Sequence, residues 1–236
     1  MLQLYMDFAG YSDIAIGSAH LLGFRLRKNF DAPLKSRSLE EFWTRWHISM
    51  SYWFYDYVFG SLGANKKGLA RTCVNLFLTH LLSGIWHGAG WNFVLWGVWF
   101  GVWMVIVRIV RHFLPGGRLP ANALFSGLGW LFTITICFWS APLFRCKSVE
   151  EIATVIETMF AFGPGTTGIV DTLPWQFWTI FVIGWLLSFR PDSWPKRVEN
   201  AFKKTPIVLQ GVIVAVAIFV LFGAKPQGVP FLYFNF

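Results

Sequence analysis

The sequence predicts an all-α integral membrane protein, a bundle of roughly five to seven transmembrane or re-entrant helices. Of its 236 residues 55% are hydrophobic and 14% are charged, whereas a soluble domain carries about 25% charged residues. Four long runs contain no Lys, Arg, Asp or Glu: 72–107, 119–144, 172–189 and 205–224. Each can cross a hydrocarbon core, which takes about 20 helical residues, and the first can cross twice. The runs lack the short alternating segments of a membrane β-barrel.

The basic residues stand in clusters between the apolar runs and predict the topology. The net charge is +8. Segments 66–71, 108–118 and 190–204 are basic, which is typical of cytoplasmic loops, whereas 145–171 carries more acidic than basic residues. This alternation places the turn after His87 toward the outer face. Charge distributed in this way does not indicate nucleic acid as a partner.

The first 24 residues are apolar but include Asp7 and Asp13. The two carboxylates are six residues apart and do not share a helix face, so they do not form a catalytic pair. Each is either a proton-handling group or a buried hydrogen-bond acceptor. We expect this segment to be buried in protein, because three glycines are spaced for close helix packing: Gly10, Gly17 and Gly23.

A capping box, Ser38-Leu39-Glu40-Glu41, predicts the start of a helix that continues to about residue 57. Glu41 and Arg45 form an i,i+4 ion pair on its first turns. Apolar side chains recur every three or four residues and place His47 on the face that packs into the protein: Trp43, Trp46, His47, Met50, Phe54 and Tyr57. A histidine on such a face is either a core hydrogen-bonding group or a catalytic group.

The later segments follow the hydropathy pattern. A glycine-rich basic loop at 60–68 lacks the spacing of a phosphate-binding loop. A second capping box begins at Ser148 and predicts a short amphipathic helix along the outer surface. The predicted helices are 70–87, 91–107, 119–144, 148–160, 173–189 and 206–223, with a basic loop before the last one.

The stretch 83–92 places His87 among glycines and tryptophans between two apolar runs. An imidazole is costly to desolvate, so a histidine in a membrane suggests a function. The glycines around it leave room for another backbone or for a substrate. The alternative is a structural turn with His87 hydrogen-bonded across it. His80 lies on nearly the same face, but no Asp or Glu accompanies the pair in this helix or the next, and we predict no metal site.

Four stretches resemble the membrane-bound O-acyltransferase family, specifically its bacterial alginate O-acetylation branch. They read YMDFAGYSD at 5–13, SLEEFWTRWHIS at 38–49, GIWHGA at 84–89 and WNFVLWG at 91–97. The resemblance is strong over residues 5–101, and the helices of 119–236 share the family's hydropathy and aromatic tail. It implies that residues 1–236 form a single membrane domain, the C-terminal part of a longer fold with a tunnel.

The resemblance also implies roles for individual residues. His87 matches the family's catalytic histidine, and His47 matches a second motif histidine that orients the reaction or lines the tunnel. A neutral imidazole can take the proton from an attacking hydroxyl. Substrate-binding or tunnel-lining roles are implied for five motif residues: Trp86, Asn92, Trp46, Arg45 and Asp7. The chain departs from the family at Tyr55, where an arginine is usual, and at Phe100, where some members carry histidine.

The function that the resemblance implies is a multi-pass O-acyltransferase of the bacterial inner membrane. It moves acetyl from a cytoplasmic thioester, acetyl-CoA, to hydroxyls of an exported polysaccharide such as alginate, directly or through a periplasmic acetyltransferase partner. Acetyl-CoA is a substrate, and no bound cofactor is implied. The basic loop 25–37 contacts lipid headgroups or the phosphates of the donor. The alternative is a non-catalytic, truncated membrane scaffold that binds partners. A transporter is disfavoured because the intramembrane acids form no relay.

Overall fold

The computed structural model describes residues 1–117, 120, 122–160, 174–191 and 193–223, and within these ranges the regular structure is helical with no strand. The aromatic tail and the 161–173 connection lie outside the described residues. The helices are α1 (Leu2–Leu21), α2 (Leu39–Arg45), α3 (Ile48–Phe54), α4 (Gly68–His87), α5 (Trp91–Phe113), α6 (Ala123–Arg145), α7 (Val149–Phe160), α8 (Trp175–Ser188), α9 (Trp194–Lys204) and α10 (Ile207–Gly223). A short π-helix, Tyr55–Phe59, follows α3 directly.

Within the described part of the chain, two helices are long and apolar enough to cross a membrane, α5 and α6, and α8 and α10 are shorter apolar helices. Only 33% of the apolar window of α5 and 22% of that of α6 is buried inside the protein. Most of their apolar surface is therefore free to contact lipid, unlike that of a core helix in a soluble protein. The predicted spans at 119–144 and 173–189 are confirmed as helices.

Helices α4 and α5 form a tightly packed hairpin at the centre of the fold. A Cβ added to Gly97 would lie 2.7 Å from the backbone oxygen of His80, and one added to Gly84 would overlap the α5 backbone at Phe93. Small residues at these positions allow the two helix backbones to touch. The space beside Gly84 is therefore filled by α5, and the space beside Gly88 is filled by the Phe93 ring.

The predicted continuous helix from 38 to 57 is wrong. The capping box is present, since Ser38 Oγ accepts the Glu41 N–H at 3.2 Å, but α2 ends at Arg45 and His47 is left-handed at φ 42°. The loop that precedes α2 forms hydrogen bonds with backbone groups that a continuous helix would pair within itself. The Ile48 N–H bonds to Asn29 O at 2.9 Å, and Arg45 O accepts the Asp31 N–H at 2.9 Å.

Helix α1 is less buried than predicted. Only Tyr5 and Ser12 are buried along its length, Leu21 is 90% exposed, and a Cβ on Gly10 or Gly17 would meet no atom within 4 Å. The expected close packing at these glycines is therefore wrong for the described part of the chain. Contact is concentrated in the first turns, where α8 packs against the helix.

The capping box at Ser148 is confirmed, because its Oγ accepts the Glu151 N–H at 3.2 Å at the start of α7. The predicted basic loop at 190–204 is wrong, since most of it forms the helix α9. Apolar residues recur at helical spacing between its basic residues. This periodicity predicts a helix, which the charge pattern alone does not indicate.

Candidate active site

His47 occupies the break between α2 and α3, and its hydrogen-bond contacts favour one tautomer. Asn29 Oδ1 accepts the backbone N–H of Ser49 at 3.1 Å, which identifies that atom as the amide oxygen, because an N–H can only donate. His47 Nδ1 lies 3.3 Å from the same oxygen. This contact favours a proton on Nδ1, which leaves the lone pair on Nε2 in the neutral ring, and Ser49 Oγ lies 3.4 Å from the same Nδ1.

Asn29 connects three parts of the chain around His47. Its Nδ2 donates to Ser12 Oγ of α1 at 3.2 Å, its side-chain oxygen also accepts from Ser49 Oγ at 2.9 Å, and its backbone oxygen accepts from Ile48. The sequence did not single out Asn29, because its neighbours suggested only a basic loop. Its importance depends on contacts with residues far away in the chain.

His87 is the last residue of α4 and lies in an aromatic pocket. Its ring centroid is 5.1 Å from that of Trp96 and 5.0 Å from that of Phe144, both edge-on. Phe93 adds a tilted contact at 6.3 Å. These contacts come from α5 and α6, so the pocket forms only when the three helices pack.

Trp86 joins the two predicted histidines. Its ring lies 6.3 Å from the His47 ring and 5.0 Å from the His87 ring. Trp86 is 58% exposed, so this side of the site is open to its surroundings. The structure thus brings together residues from two separate motifs.

The other predicted site residues have mainly structural contacts. Arg45 donates to Glu41 Oε1 at 3.0 Å and to Asp31 O at 3.0 Å. Trp46 is buried and stacks on Phe42 at 5.5 Å. Their predicted contacts with a substrate stay predictions.

Asn92 and Asp7 lie on the first turns of their helices. Asn92 is buried near the start of α5, with its Oδ1 against Gly90, so that a side chain at 90 would collide with it. Asp7 is half-buried on α1. Asn92 therefore packs closely against the turn that follows His87, and a contact of either residue with a substrate stays a prediction.

A cavity of about 510 Å³ lies between the α2–α3 region, α4 and α5. Its walls are mainly apolar, with buried contributions from Met50, Phe54, Phe59 and Met104. Along α4 the lining residues are spaced by three or four: Leu76, Thr79, His80 and Ser83. His87 continues this spacing four residues beyond Ser83, so the cavity follows the helix face that ends at His87.

His80 contributes to the wall of this cavity. Its Nδ1–H donates to Leu76 O at 2.9 Å, and its ring packs edge-on against Trp43 at 5.5 Å. Its contacts are those of a packing and cavity-lining residue. Among the residues that the structure describes, no three His, Cys, Asp or Glu side chains are grouped to hold a metal ion.

The cavity lining includes three polar side chains with a buried atom that has no hydrogen-bond partner in the described structure: Glu40 Oε2, Trp43 Nε1 and Arg108 Nε. A buried unpaired polar atom costs about 1–3 kcal/mol, so each calls for an explanation. The other oxygen of Glu40 pairs with Arg111 Nε at 3.2 Å. The sequence assigned Glu40 only to the capping box, because its partners on α5 are distant in the chain.

These features define a class: a helical membrane protein in which two motif histidines meet at a tryptophan, beside a mainly apolar cavity that several polar side chains also line. Residues 1–142 match the family model of the MBOAT, membrane-bound O-acyltransferase family, and the chain belongs to this family. The resemblance of the four motifs is thereby confirmed.

Individual relatives agree with this assignment. The chain is 36% identical, over 99% of its length, to the probable alginate O-acetylase AlgI of Pseudomonas putida, and spans 51% of that protein. It is 34% identical over 66% of its length to a peptidoglycan O-acetyltransferase of Helicobacter pylori, and 34% over 58% to a teichoic acid D-alanyltransferase of Bacillus subtilis. These matches span 29% and 37% of the two relatives.

Proposed function

We propose that this chain carries the reaction centre of a membrane O-acyltransferase, which moves acetyl from a cytoplasmic thioester to a hydroxyl of an exported polysaccharide. The observation that carries the proposal is the meeting of His47 and His87 at Trp86. Family membership supports the reaction class. The paired histidines supply the base that this class of reaction needs.

His87 acts as the general base. Its imidazole takes the proton of the acceptor hydroxyl while the hydroxyl oxygen forms a bond to the thioester carbonyl carbon. The carbon–sulfur bond then breaks, and the thiolate leaves with the proton that His87 returns. General-base catalysis of this kind contributes about 10²–10⁴ in rate.

His47 acts as a positioning residue. With the proton on Nδ1 beside Asn29 Oδ1, Nε2 offers a lone pair of fixed direction to a hydroxyl of the acceptor other than the one that His87 deprotonates. The contact of both histidines with Trp86 supports an arrangement in which one imidazole orients the acceptor and the other removes its proton. Removal of either ring is then expected to lower turnover, with the larger loss at His87.

The apolar cavity supports a route for the acyl donor. Arg108 and Arg111 line one end of it, and the charge pattern puts this end of α5 on the cytoplasmic side. Arginines there suit the phosphates of acetyl-CoA, and the unpaired Trp43 Nε1–H suits an amide or carbonyl of the donor's thioester arm. The cavity then leads along α4 to Ser83, one turn before His87.

The acceptor proposal rests on the relatives. They are named for transfer to alginate, peptidoglycan and teichoic acid, and the alginate O-acetylases are 36–42% identical to this chain. These names support our proposal of a protein of the bacterial inner membrane, with alginate as the first acceptor to test and transfer either direct or through a periplasmic acetyltransferase.

The test uses the purified chain in nanodiscs with labelled acetyl-CoA and an alginate oligosaccharide, and measures thioester cleavage and ester formation. His87→Ala is expected to lower the rate about 10²–10⁴-fold. His20→Ala, at an exposed position on α1, is the matched control and is expected to retain activity. Equal activity of wild type and His87→Ala would refute the assignment. Binding of partners without turnover in the wild type would favour the scaffold alternative.

A further inference from the structure

Helix α9 has a strongly two-sided surface. Its apolar side chains recur at spacings of three or four residues and share one face: Trp194, Val198, Ala201 and Phe202. The remaining face carries four basic residues: Lys196, Arg197, Lys203 and Lys204. The one acidic residue, Glu199, forms an ion pair with Lys203, which lowers the pKa of its carboxyl group. The helix is therefore basic as well as amphipathic.

Most of the apolar face of α9 is not covered by the described protein, although Phe202 is half-buried. Trp194 is 40% exposed and Val198 is 55% exposed. A helix with this separation of apolar and charged side chains normally buries its apolar face. In contact with water the same face would lose the free energy of that burial.

The position of α9 is set by its neighbours. It stands between the apolar helices α8 and α10, and only residues 205 and 206 separate it from α10. Gln210 of α10 donates from Nε2 to Phe202 O at 3.0 Å and to Thr205 O at 2.8 Å. These bonds satisfy carbonyl groups at the C-terminus of α9 and join it to the N-terminal end of α10.

We propose that α9 lies in the cytoplasmic interface of the membrane and binds anionic phospholipid. Its apolar face enters the boundary between headgroups and acyl chains, and its basic face contacts the phosphates. A lipid surface satisfies both faces at once, whereas an acidic soluble protein would cover only the basic one. The two flanking apolar helices already hold α9 at the membrane boundary. This proposal is independent of the acyltransferase assignment.

The first test measures the depth of each face in the bilayer. Val198→Cys on the apolar face and Asn200→Cys on the polar face are labelled with an environment-sensitive dye, in the full chain in nanodiscs. The unsubstituted protein measures background labelling of the native cysteines. Phospholipids with a nitroxide on the acyl chain are expected to quench the dye at 198 about threefold more strongly than at 200. Equal quenching at both positions would refute the proposal.

The second test measures the dependence on charge. Quenching at 198 is expected to be stronger in nanodiscs that contain phosphatidylglycerol than in phosphatidylcholine alone. K196Q/K204Q is expected to lower the ratio of docked to undocked helix about fivefold for each charge removed, whereas K66Q/K67Q, in the exposed loop before α4, leaves it unchanged. An unchanged ratio in both variants would overturn the role of anionic lipid. Shielding of the dye only by an added acidic protein would overturn the lipid proposal altogether.

Discussion

Substitution of Asn29 by Ala tests the link between the 25–37 loop and the two histidines. The change removes the partners of Ser49 N–H, Ser49 Oγ, His47 Nδ1 and Ser12 Oγ. The bonds to Ser49 are exposed, so water replaces them at little cost, and the part-buried bonds to His47 and Ser12 dominate. At about 0.5–1.5 kcal/mol for each bond, the free energy of unfolding is expected to fall by about 1–3 kcal/mol.

The same substitution is expected to reduce the rate of acetyl transfer by more than the loss of folded protein alone would explain. Without Asn29 Oδ1, His47 is free to move its proton to Nε2, and the ring loses both its tautomer and its orientation. Removing the partner that orients a metal-binding histidine costs about 10–100-fold in activity, and we expect a loss of the same order in acetyl transfer here. The assays are thermal unfolding in detergent, acetyl transfer from acetyl-CoA, and nitrogen-15 NMR of labelled histidine, which reports the tautomer directly.

Asn75→Ala is the matched control. Asn75 is buried on α4 and donates to Leu62 O and Ala64 O at 3.2 and 3.0 Å, so its loss is expected to destabilise the fold without altering the His47 tautomer. Asn29→Asp keeps an oxygen acceptor for Ser49 and His47 and is expected to retain the Nδ1–H form. If Asn29→Ala left the histidine spectrum unchanged, or lowered activity no more than Asn75→Ala at equal stability, the proposed positioning role would be wrong.

Two further changes test the packing and the cavity. Gly97→Ala is expected to destabilise the protein by about 1–3 kcal/mol, because its Cβ would lie 2.7 Å from the backbone of α4. Gly127→Ala on α6 is the control, since its Cβ would meet nothing within 4 Å and the change is expected to be neutral or stabilising. Thermal unfolding of both variants checks this, and equal changes in melting temperature would contradict it. Trp43→Phe removes the unpaired Nε1–H while keeping an aromatic ring. This change is expected to raise the KM for acetyl-CoA about fivefold without lowering stability, and an unchanged KM would exclude a contact between Trp43 and the donor.

Local chemistry determined much of the secondary structure. The helices α4, α6 and α7 follow from hydropathy and from a capping box, because these signals act within a few residues of the chain. The resemblance of four short motifs predicted His87 and His47 as residues of the active site. The secondary-structure prediction was wrong where local and distant interactions compete. One example is the helix break at His47, where loop 25–37 supplies the hydrogen bonds.

The sequence by itself thus determined the membrane class, most of the helices and the family, and it predicted the two site histidines. Only the tertiary structure decided that both rings meet Trp86, that Asn29 contacts His47 Nδ1, and that Glu40, Trp43 and Arg108 line one cavity. The physical reason is that hydropathy and capping are properties of neighbouring residues, whereas these contacts join side chains from separate helices. They exist only after the glycine-lined faces of α4 and α5 have packed and the 25–37 loop has bonded to the α2–α3 break.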